Sequence, residues 1–433
     1  MFIGLDLGTS GCRACVIDSH NRVLAQQRTS FPPPQSRGNA VEQDPAIWWD
    51  LCLQTLEAVI NQIDPACIQS ISVDGTSATV LLCDANGQVH SPALMYNDAR
   101  AQEQARRIAA ISPAHSAAQG PSSTLAKVLW FQDNGYPVGD LRILHQADWI
   151  SGCLSGIFGY TDSNNSLKLG YDPLIKSQTN PWPSWLEQLN LPLTGFPKVF
   201  APGQTVAHIS PSIAQRLRLP AHTQIVAGTT DSTAAFIASG AHVAGDAVTS
   251  LGSTLVLKLL SDKPLFAPEY GIYSQPFFGR WLVGGASNSG AAVFLQYFSK
   301  EQLQQMTPLI KPQQDTELKY YPLSQPGERF PIADPTLAPQ LSPRPDSDLE
   351  FFQGLLEGVA AVEKRGYDLL RDLCGVYPRR VFSNGGGADN QPWLEIRQRY
   401  LGVPVLKAEH TEAAFGAAKL AQWGCKSSLE EEI

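Results

Sequence analysis

Charge is scarce in this chain, and no long apolar run makes up for it. Only 17% of the 433 residues are charged, and 32 basic residues against 40 acidic ones leave a formal net charge of −8. That balance argues against nucleic acid or an anionic membrane surface as a partner, since both select basic surfaces. A small-molecule substrate fits better. No segment approaches the ~20 apolar residues of a membrane span, and the opening MFIGLDLGTSG has neither the basic stretch nor the apolar run of a secretory signal, so the expected location is cytoplasmic. The eight cysteines are scattered. Their one close pair, Cys12 and Cys15, has no second CxxC or His pair at metal-ligand distance. Side chains three apart on a strand point to opposite faces, so the cysteines read as reduced packing thiols, with a zinc or redox role as the alternative. The histidines fall outside the polar turns described next and read as surface or packing residues. The acidic tail Glu430-Glu431-Glu432 reads as a solvated end.

Apolar residues and glycine are plentiful: 43% of the chain is hydrophobic, and 35 Gly and 32 Pro are spread along it, as in ordinary globular proteins. The length exceeds the ~250–300 residues at which single cores stop growing, which predicts two domains. Phe2 to Leu7 is apolar, Gly8-Thr9-Ser10-Gly11 turns, and Cys12 to Ile17 is apolar again, the pattern of a β-hairpin. Residues 45–63 carry apolar positions at helical spacing, with Pro45 suited to a first turn after Asp44. Ile68 to Val73 reads as a strand running into Asp74-Gly75-Thr76-Ser77, and open α/β sheets place ligand sites at such carboxyl-terminal strand ends.

The theme then returns. Gln224 to Ala227 ends in Gly228-Thr229-Thr230-Asp231-Ser232 ahead of a small-residue helix over 233–239, and Ala247 to Leu251 leads through Gly252-Ser253-Thr254 into a strand over 255–260. Both halves of the chain therefore begin alike, and internal duplication of a βαβ-type core with a ligand between the halves is the economical reading, with the boundary near residue 238. Residues 310–348, rich in Pro and polar groups, read as loop or short strands on the second domain's surface. An amphipathic helix over 349–372, a strand over Arg380 to Phe382 ending in Asn384-Gly385-Gly386-Gly387, and a small-residue helix over 411–422 complete the pattern. Trp48, Trp49 and Trp281 read as core or interdomain aromatics.

A phosphate chain needs backbone N–H groups pointing at it, and only Gly and small hydroxyl residues let the backbone come close enough. In Asp6-Leu7-Gly8-Thr9-Ser10, a carboxylate at the strand end could hold Mg²⁺ beside such phosphates, directly or through water; a plain hairpin turn is the alternative. Asp231, at a strand-to-helix junction, could cap the helix or act as base for a hydroxyl. Phosphoryl transfer to a sugar asks for little more than aligned phosphates, Mg²⁺ and one such carboxylate. Gly385-Gly386-Gly387 suggests backbone contact with a flat ligand, with Asn390 and Trp393 on the helix behind it; a simple turn is the alternative.

These turns, in this order, resemble the actin, Hsp70 and hexokinase superfamily, and within it the FGGY carbohydrate kinases. The run from Ser122 to Asn134, which includes Lys127, fits the first FGGY signature at every constrained position. Gly354 to Leu370 resembles the second signature more loosely. Tyr96-Asn97-Asp98-Ala99-Arg100 is similar to a family segment in which Trp stands in place of Tyr96, and Gln146-Ala147-Asp148-Trp149 and Thr161 to Asn165 also have family counterparts. The resemblance implies an α/β protein with two ribonuclease-H-like (actin-like ATPase) domains flanking a catalytic cleft. It places a sugar-binding domain over 1–238, a nucleotide-binding domain over 239–410, and a helix over 411–433 packing back on the first.

By position, the resemblance implies that Asp6 serves Mg²⁺ and the substrate side. Gly8, Thr9, Ser10, Gly252, Ser253 and Thr254 would serve the phosphates, Gly386, Gly387, Asn390 and Trp393 the adenosine of ATP, and Asp231 would be the catalytic base. Ser77 and Ser232 would bind the sugar. The loop that reads Gly-Gln-Met-His in xylulose kinases is Gly75-Thr76-Ser77-Ala78 here, and the Arg-Glu pair of glycerol kinases is missing. The chain most resembles short plant and cyanobacterial members close to D-ribulose kinases, so D-ribulose phosphorylated on its 5-hydroxyl by a monomer or homodimer is the expectation. D-xylulose or another pentulose is the alternative substrate. An actin-like or Hsp70-like ATPase without a sugar acceptor is the alternative of another class.

Overall fold

Apolar runs punctuated by Gly-Thr/Ser tips make strands buried on both faces, and they order this molecule. A computed structural model describes residues 1–175 and 182–431, the side chains of 426–431 excepted, so the acidic tail lies outside the described side chains. The chain divides into two compact units, Met1–Ala238 together with Glu412–Ile433, and Ser239–Thr411.

The first unit is built on a six-stranded sheet in the order Thr205–His208, Gln224–Thr230, Ser70–Gly75, Phe2–Gly8, Gly11–Ile17, Val23–Ser30. The last three form an antiparallel meander, while Ser70–Gly75 runs parallel to Phe2–Gly8, and Gln224–Thr230 parallel to Ser70–Gly75. One face packs Leu5, Leu7, Cys12 and Ile71 against Trp48, Cys52 and Leu56 of the helix Pro45–Ile60, which Asp44 caps by accepting from the Ala46 N–H. The other packs Phe2, Cys15 and Ile17 against Ala414, Phe415 and Ala418 of the helix Ala413–Glu431. That helix lies so close that a Cβ on Gly4 would stand 2.0 Å from the Ala414 carbonyl oxygen. Cys12 and Cys15 thus face opposite ways, and all eight cysteines are free. A smaller sheet that includes Val80–Cys83 and Arg142–His145 packs on the helix Thr124–Asp133 through Val80, Leu82, Ile143, Leu125 and Leu129.

The second unit repeats the plan. Its sheet runs Gln275–Phe277, Arg280–Ser287, Leu255–Ser261, Asp246–Leu251, Arg380–Asn384, Val405–Lys407. Again three antiparallel strands, Asp246–Leu251, Leu255–Ser261 and Arg280–Ser287, are extended on one side by two strands parallel to the first, and on the other by the short antiparallel strand Gln275–Phe277. Both units are therefore ribonuclease-H-like, and the fold class is α/β with two actin-like ATPase domains. The helix Asp348–Cys374 is capped by Ser347, which accepts from the Glu350 N–H, and stops at Gly375, whose φ of +79° favours glycine. Residues 310–347 form no regular helix or sheet strand, only isolated bridges at Tyr321–Gln340 and Glu328–Asp334. They are not confined to the surface, however. Tyr320, Tyr321, Leu323 and Phe330 sit in the hydrophobic core, and buried Glu328 accepts from the Ser287 and Tyr321 hydroxyls and the Asn288 N–H. Apolar residues too sparse to show a period still suffice to plug a core from a loop.

Candidate active site

Sheet register brings carboxylates together in the first unit. Asp6 stands opposite Arg13 across the hairpin and opposite Asp74 across the parallel pair. The Arg13 guanidinium donates to Asp6 (2.8 Å) and lies 3.2 Å from the Glu412 carboxylate. Asp74 is fully buried, and neither of its oxygens has a hydrogen-bond donor among the described residues. Burial, then the Asp6 and Asp231 carboxylates, push the Asp74 carboxyl well above its ordinary range. Asp231 is half-buried, begins the helix Asp231–Ala238, and accepts from the Ser232 N–H at 2.6 Å; Ser232 is exposed.

The approach to Asp231 depends on a bulge. The Gln224–Thr230 strand slips register between Val226 and Thr229, and within the slip Gly228 comes so near its neighbour that a Cβ there would stand 1.7 Å from the Val73 carbonyl oxygen. The slip sets Thr229 opposite Asp74, and the Thr229 hydroxyl accepts from the Asn164 amide at 2.9 Å. Further buried polar atoms of this unit that lack a partner among the described residues include Ser72 Oγ, Gln146 Nε2 and Asn164 Oδ1. Polar atoms removed from water are costly unless paired, so those at the strand ends, on Asp74, Asn164 and Gln146, fit a hydroxyl-rich ligand or a hard cation.

Ser77 is the one half-exposed residue in a buried turn. Thr76 is held by the Gln146 side chain, which accepts from its N–H (3.2 Å) and hydroxyl (2.9 Å), and its hydroxyl meets that of Thr79 at 2.6 Å. Behind the turn, His145 is buried with Nδ1 2.9 Å from Asp148 and Nε2 3.2 Å from the Thr124 hydroxyl. Asp162 accepts from the N–H groups of Asn164 and Asn165, and burial, with Asp148 nearby, raises its carboxyl to about 7.

At the first hairpin Gly8, Thr9 and Ser10 form the tip between the two strands, with Gly8 paired to Gly11 and Ser10 exposed. In the second unit Gly252, Ser253 and Thr254 form an exposed tip whose Gly252 and Ser253 carbonyls accept from the N–H groups of Ala291 and Ala292. The glycine turn beside it has packing reasons that composition alone conceals. Gly385 has φ +81° and lies so close to Leu251 that a Cβ would stand 2.7 Å from its carbonyl oxygen, and a Cβ on Gly387 would meet the Trp393 ring at 2.5 Å. Only Gly386 faces open space. Trp393 is 2% exposed, its indole donates to the Leu356 carbonyl (3.1 Å), and it packs edge-on to Phe294, so it supports the turn from beneath and presents no ring to a nucleotide. Asn390 caps the helix Gln391–Leu401, accepting from the Trp393 N–H.

Sequence reasoning placed Asp74 in a ligand-type turn without giving it a role, and passed over Arg13. The signal for Asp74 was its place just before a Gly-Thr pair at a strand end, where Asp6 stands one residue further back; its partnership with Asp6 shows only once the two strands are paired.

The comparisons with known proteins agree with this architecture. Residues 1–238 match the N-terminal domain, and residues 247–425 the C-terminal domain, of the FGGY family of carbohydrate kinases. Xylulose kinase of Escherichia coli is 25% identical over 445 residues, covering 98% of this chain and 90% of that protein. Xylulose kinase of Bacillus subtilis is 25% identical over 459 residues, covering 99% and 89%. Among solved structures, a kinase from Brucella ovis described as a xyloylose kinase superposes with a TM-score of 0.86 at 24% identity, covering 98% of this chain and 90% of that one, a likeness of fold. With both halves matched, the chain belongs to the FGGY family of carbohydrate kinases and is an ATP-dependent sugar phosphotransferase.

Proposed function

We propose that the chain phosphorylates a ketopentose, D-ribulose on its 5-hydroxyl, with Asp231 as general base. The observation that carries the reading is the set of carboxylates at adjoining strand ends, Asp6, Asp74 and Asp231, beside a turn that exposes Ser77. Half-buried Asp231 would take the hydroxyl proton as the new bond to phosphorus forms. Ser77 and Ser232 would hold the remaining hydroxyls, each able to donate and accept. A pocket wall of such small residues favours a pentulose held by hydrogen bonds.

Asp6 and Asp74 fit a divalent cation such as Mg²⁺, since hard cations take carboxylate oxygens and Asp74 has both of its own undonated to. Among the described residues no cluster of three metal-ligating side chains occurs, so water and phosphate oxygens would complete the shell. Bound there, Mg²⁺ would neutralise charge on the transferring phosphates. Backbone N–H groups at Gly8, Thr9 and Ser10 and at Gly252, Ser253 and Thr254 would bind those phosphates, and Gly386, Gly387 and Asn390 the adenosine, with Trp393 as their support.

D-xylulose is the second reading, favoured by the names of the relatives from E. coli and B. subtilis. ATP consumption with Mg²⁺ across D-ribulose, D-xylulose, L-ribulose, glycerol and no sugar, for the native chain and Asp231→Ala, separates the readings. A D-ribulose preference lost on substitution supports the proposal; a D-xylulose preference replaces the substrate. Sugar-independent turnover that survives the substitution overturns the assignment of the base and of the acceptor.

A further inference from the structure

The signature helix Thr124–Asp133 carries a buried lysine that the reading above leaves without a task. Lys127 has no exposed surface, and its Nζ donates to the carbonyl oxygens of Ala78 (2.8 Å) and Met95 (2.7 Å). Ala78 directly follows Ser77 and holds φ +69°, a left-handed conformation that an L-residue keeps only where its surroundings over-determine it. The surroundings here are the lysine on one side of Ser77 and the Gln146 clamp on Thr76 on the other. The far anchor is rigid too. The Met95 carbonyl also accepts from the Asp98 N–H, and buried Asp98 accepts from Arg100 and from the Val41 N–H.

A lysine is a costly way to satisfy two carbonyls if packing is all that is required. Burial pushes Lys127 down to about 7. Even the neutral amine keeps two N–H donors, one for each carbonyl, so the tie does not depend on the charge. We propose that Lys127 is a positioning residue for the acceptor sugar: by tying the Ala78 carbonyl to that of Met95, it fixes where the turn presents Ser77. The inference rests on Ser77 being a sugar contact, as proposed above.

The test is a double-mutant cycle read by calorimetric titration of the pentulose without nucleotide, on the native chain, Ser77→Ala, Lys127→Met and the double variant, with ADP binding measured alongside. Each single substitution is expected to weaken sugar binding roughly tenfold, the size of one neutral hydrogen bond. The double variant should be little weaker than either single one, and ADP affinity should hold. Lys127→Gln keeps two N–H donors on a shorter chain and should recover part of the loss. Effects that multiply to roughly a hundredfold, a parallel loss of ADP affinity, or native-like sugar binding by Lys127→Met overturn the proposal while leaving the sugar-kinase reading intact. A native chain that binds ADP but none of the pentuloses overturns both. If Lys127→Met does not fold, Lys127→Gln carries the same cycle, and failure of both to fold assigns the lysine to stability alone and overturns the proposal.

Discussion

Arg397→Met is expected to destabilise the unit Ser239–Thr411 severely, and the structure gives the size. Arg397 and Glu363 are both fully buried. The guanidinium donates to the two Glu363 oxygens at 2.6 and 2.7 Å and to the Ser383 hydroxyl, while the Thr249 hydroxyl donates to Glu363 at 2.6 Å and meets the Tyr367 hydroxyl at 2.8 Å. Truncating the arginine leaves a carboxylate away from water with one hydroxyl donor, and breaking a buried pair from one side costs ~3–5 kcal/mol. A domain of this size loses ~2–4 °C of Tm per kcal/mol, so its melting transition should fall by ~6–20 °C. Removing the charge as well, in Arg397→Met with Glu363→Leu, should recover more than half of the loss, because the uncompensated carboxylate is then gone. Scanning calorimetry with and without ADP reads both, the nucleotide-shifted transition marking the unit. A fall below ~3 °C for the single variant, or a double variant as unstable as the sum of its parts, would refute the reasoning. The network ties Thr249 and Ser383, which lie on the strands leading into the Gly252 and Gly385 turns, so the single variant should also raise the KM for ATP.

Asp231→Asn, which keeps shape and removes basicity, should lower kcat by roughly 10²–10⁴ with Tm nearly unchanged, measured by coupled ADP release. Gly387→Ala should cost ~1–3 kcal/mol, because its Cβ would stand 2.5 Å from Trp393 and 2.8 Å from the Leu251 side chain. Gly386→Ala, in open space, should leave Tm alone and raise the KM for ATP. Stability should also depend on pH in two windows. Asp162 is raised from 3.8 to about 7, so between those values the folded state holds a proton that the unfolded chain releases, and stability falls as pH rises; Asp162→Asn should flatten that fall. Lys127 is lowered from 10.5 to about 7, so between those values the unfolded chain binds the extra proton and stability rises with pH, a rise that Lys127→Met should remove in Tm profiles.

What could be read from the sequence is what is spelled in one run of residues. The hairpin around Gly8 to Gly11, the strand entering Gly228 to Asp231 and the duplicated opening at Ala247 are local patterns of apolar residues and glycine, and the structure reproduces them with boundaries shifted by a few residues. Groups that meet across the sheet were not legible. Asp74 reaches Asp6 only through parallel pairing of strands far apart in the chain, and Arg13 faces Asp6 because the hairpin register sets it there. Trp393 sits at a helix start, where sequence cannot tell a ligand-facing ring from a buried one; its burial is decided by Phe294 and Leu356, from other elements. The same holds for the triple glycine, which read as a ligand-driven motif although Leu251 and Trp393 account for two of its members.

The division has a physical cause. A strand tip that meets a phosphate or a sugar must supply its own backbone N–H groups and carboxylate, so those residues are consecutive and leave a motif. Whatever neutralises the tip, holds it in a disfavoured conformation or fills the space beneath it must approach from another element, and so leaves none. Lys127 joins the two classes, since a recognisable signature places it on a helix while its partners, Ala78 and Met95, are carbonyls of unremarkable residues. A signature position whose side chain is buried, polar and bonded only to backbone therefore marks the segment it grips, here the turn of Ser77, as the part of the molecule where geometry matters.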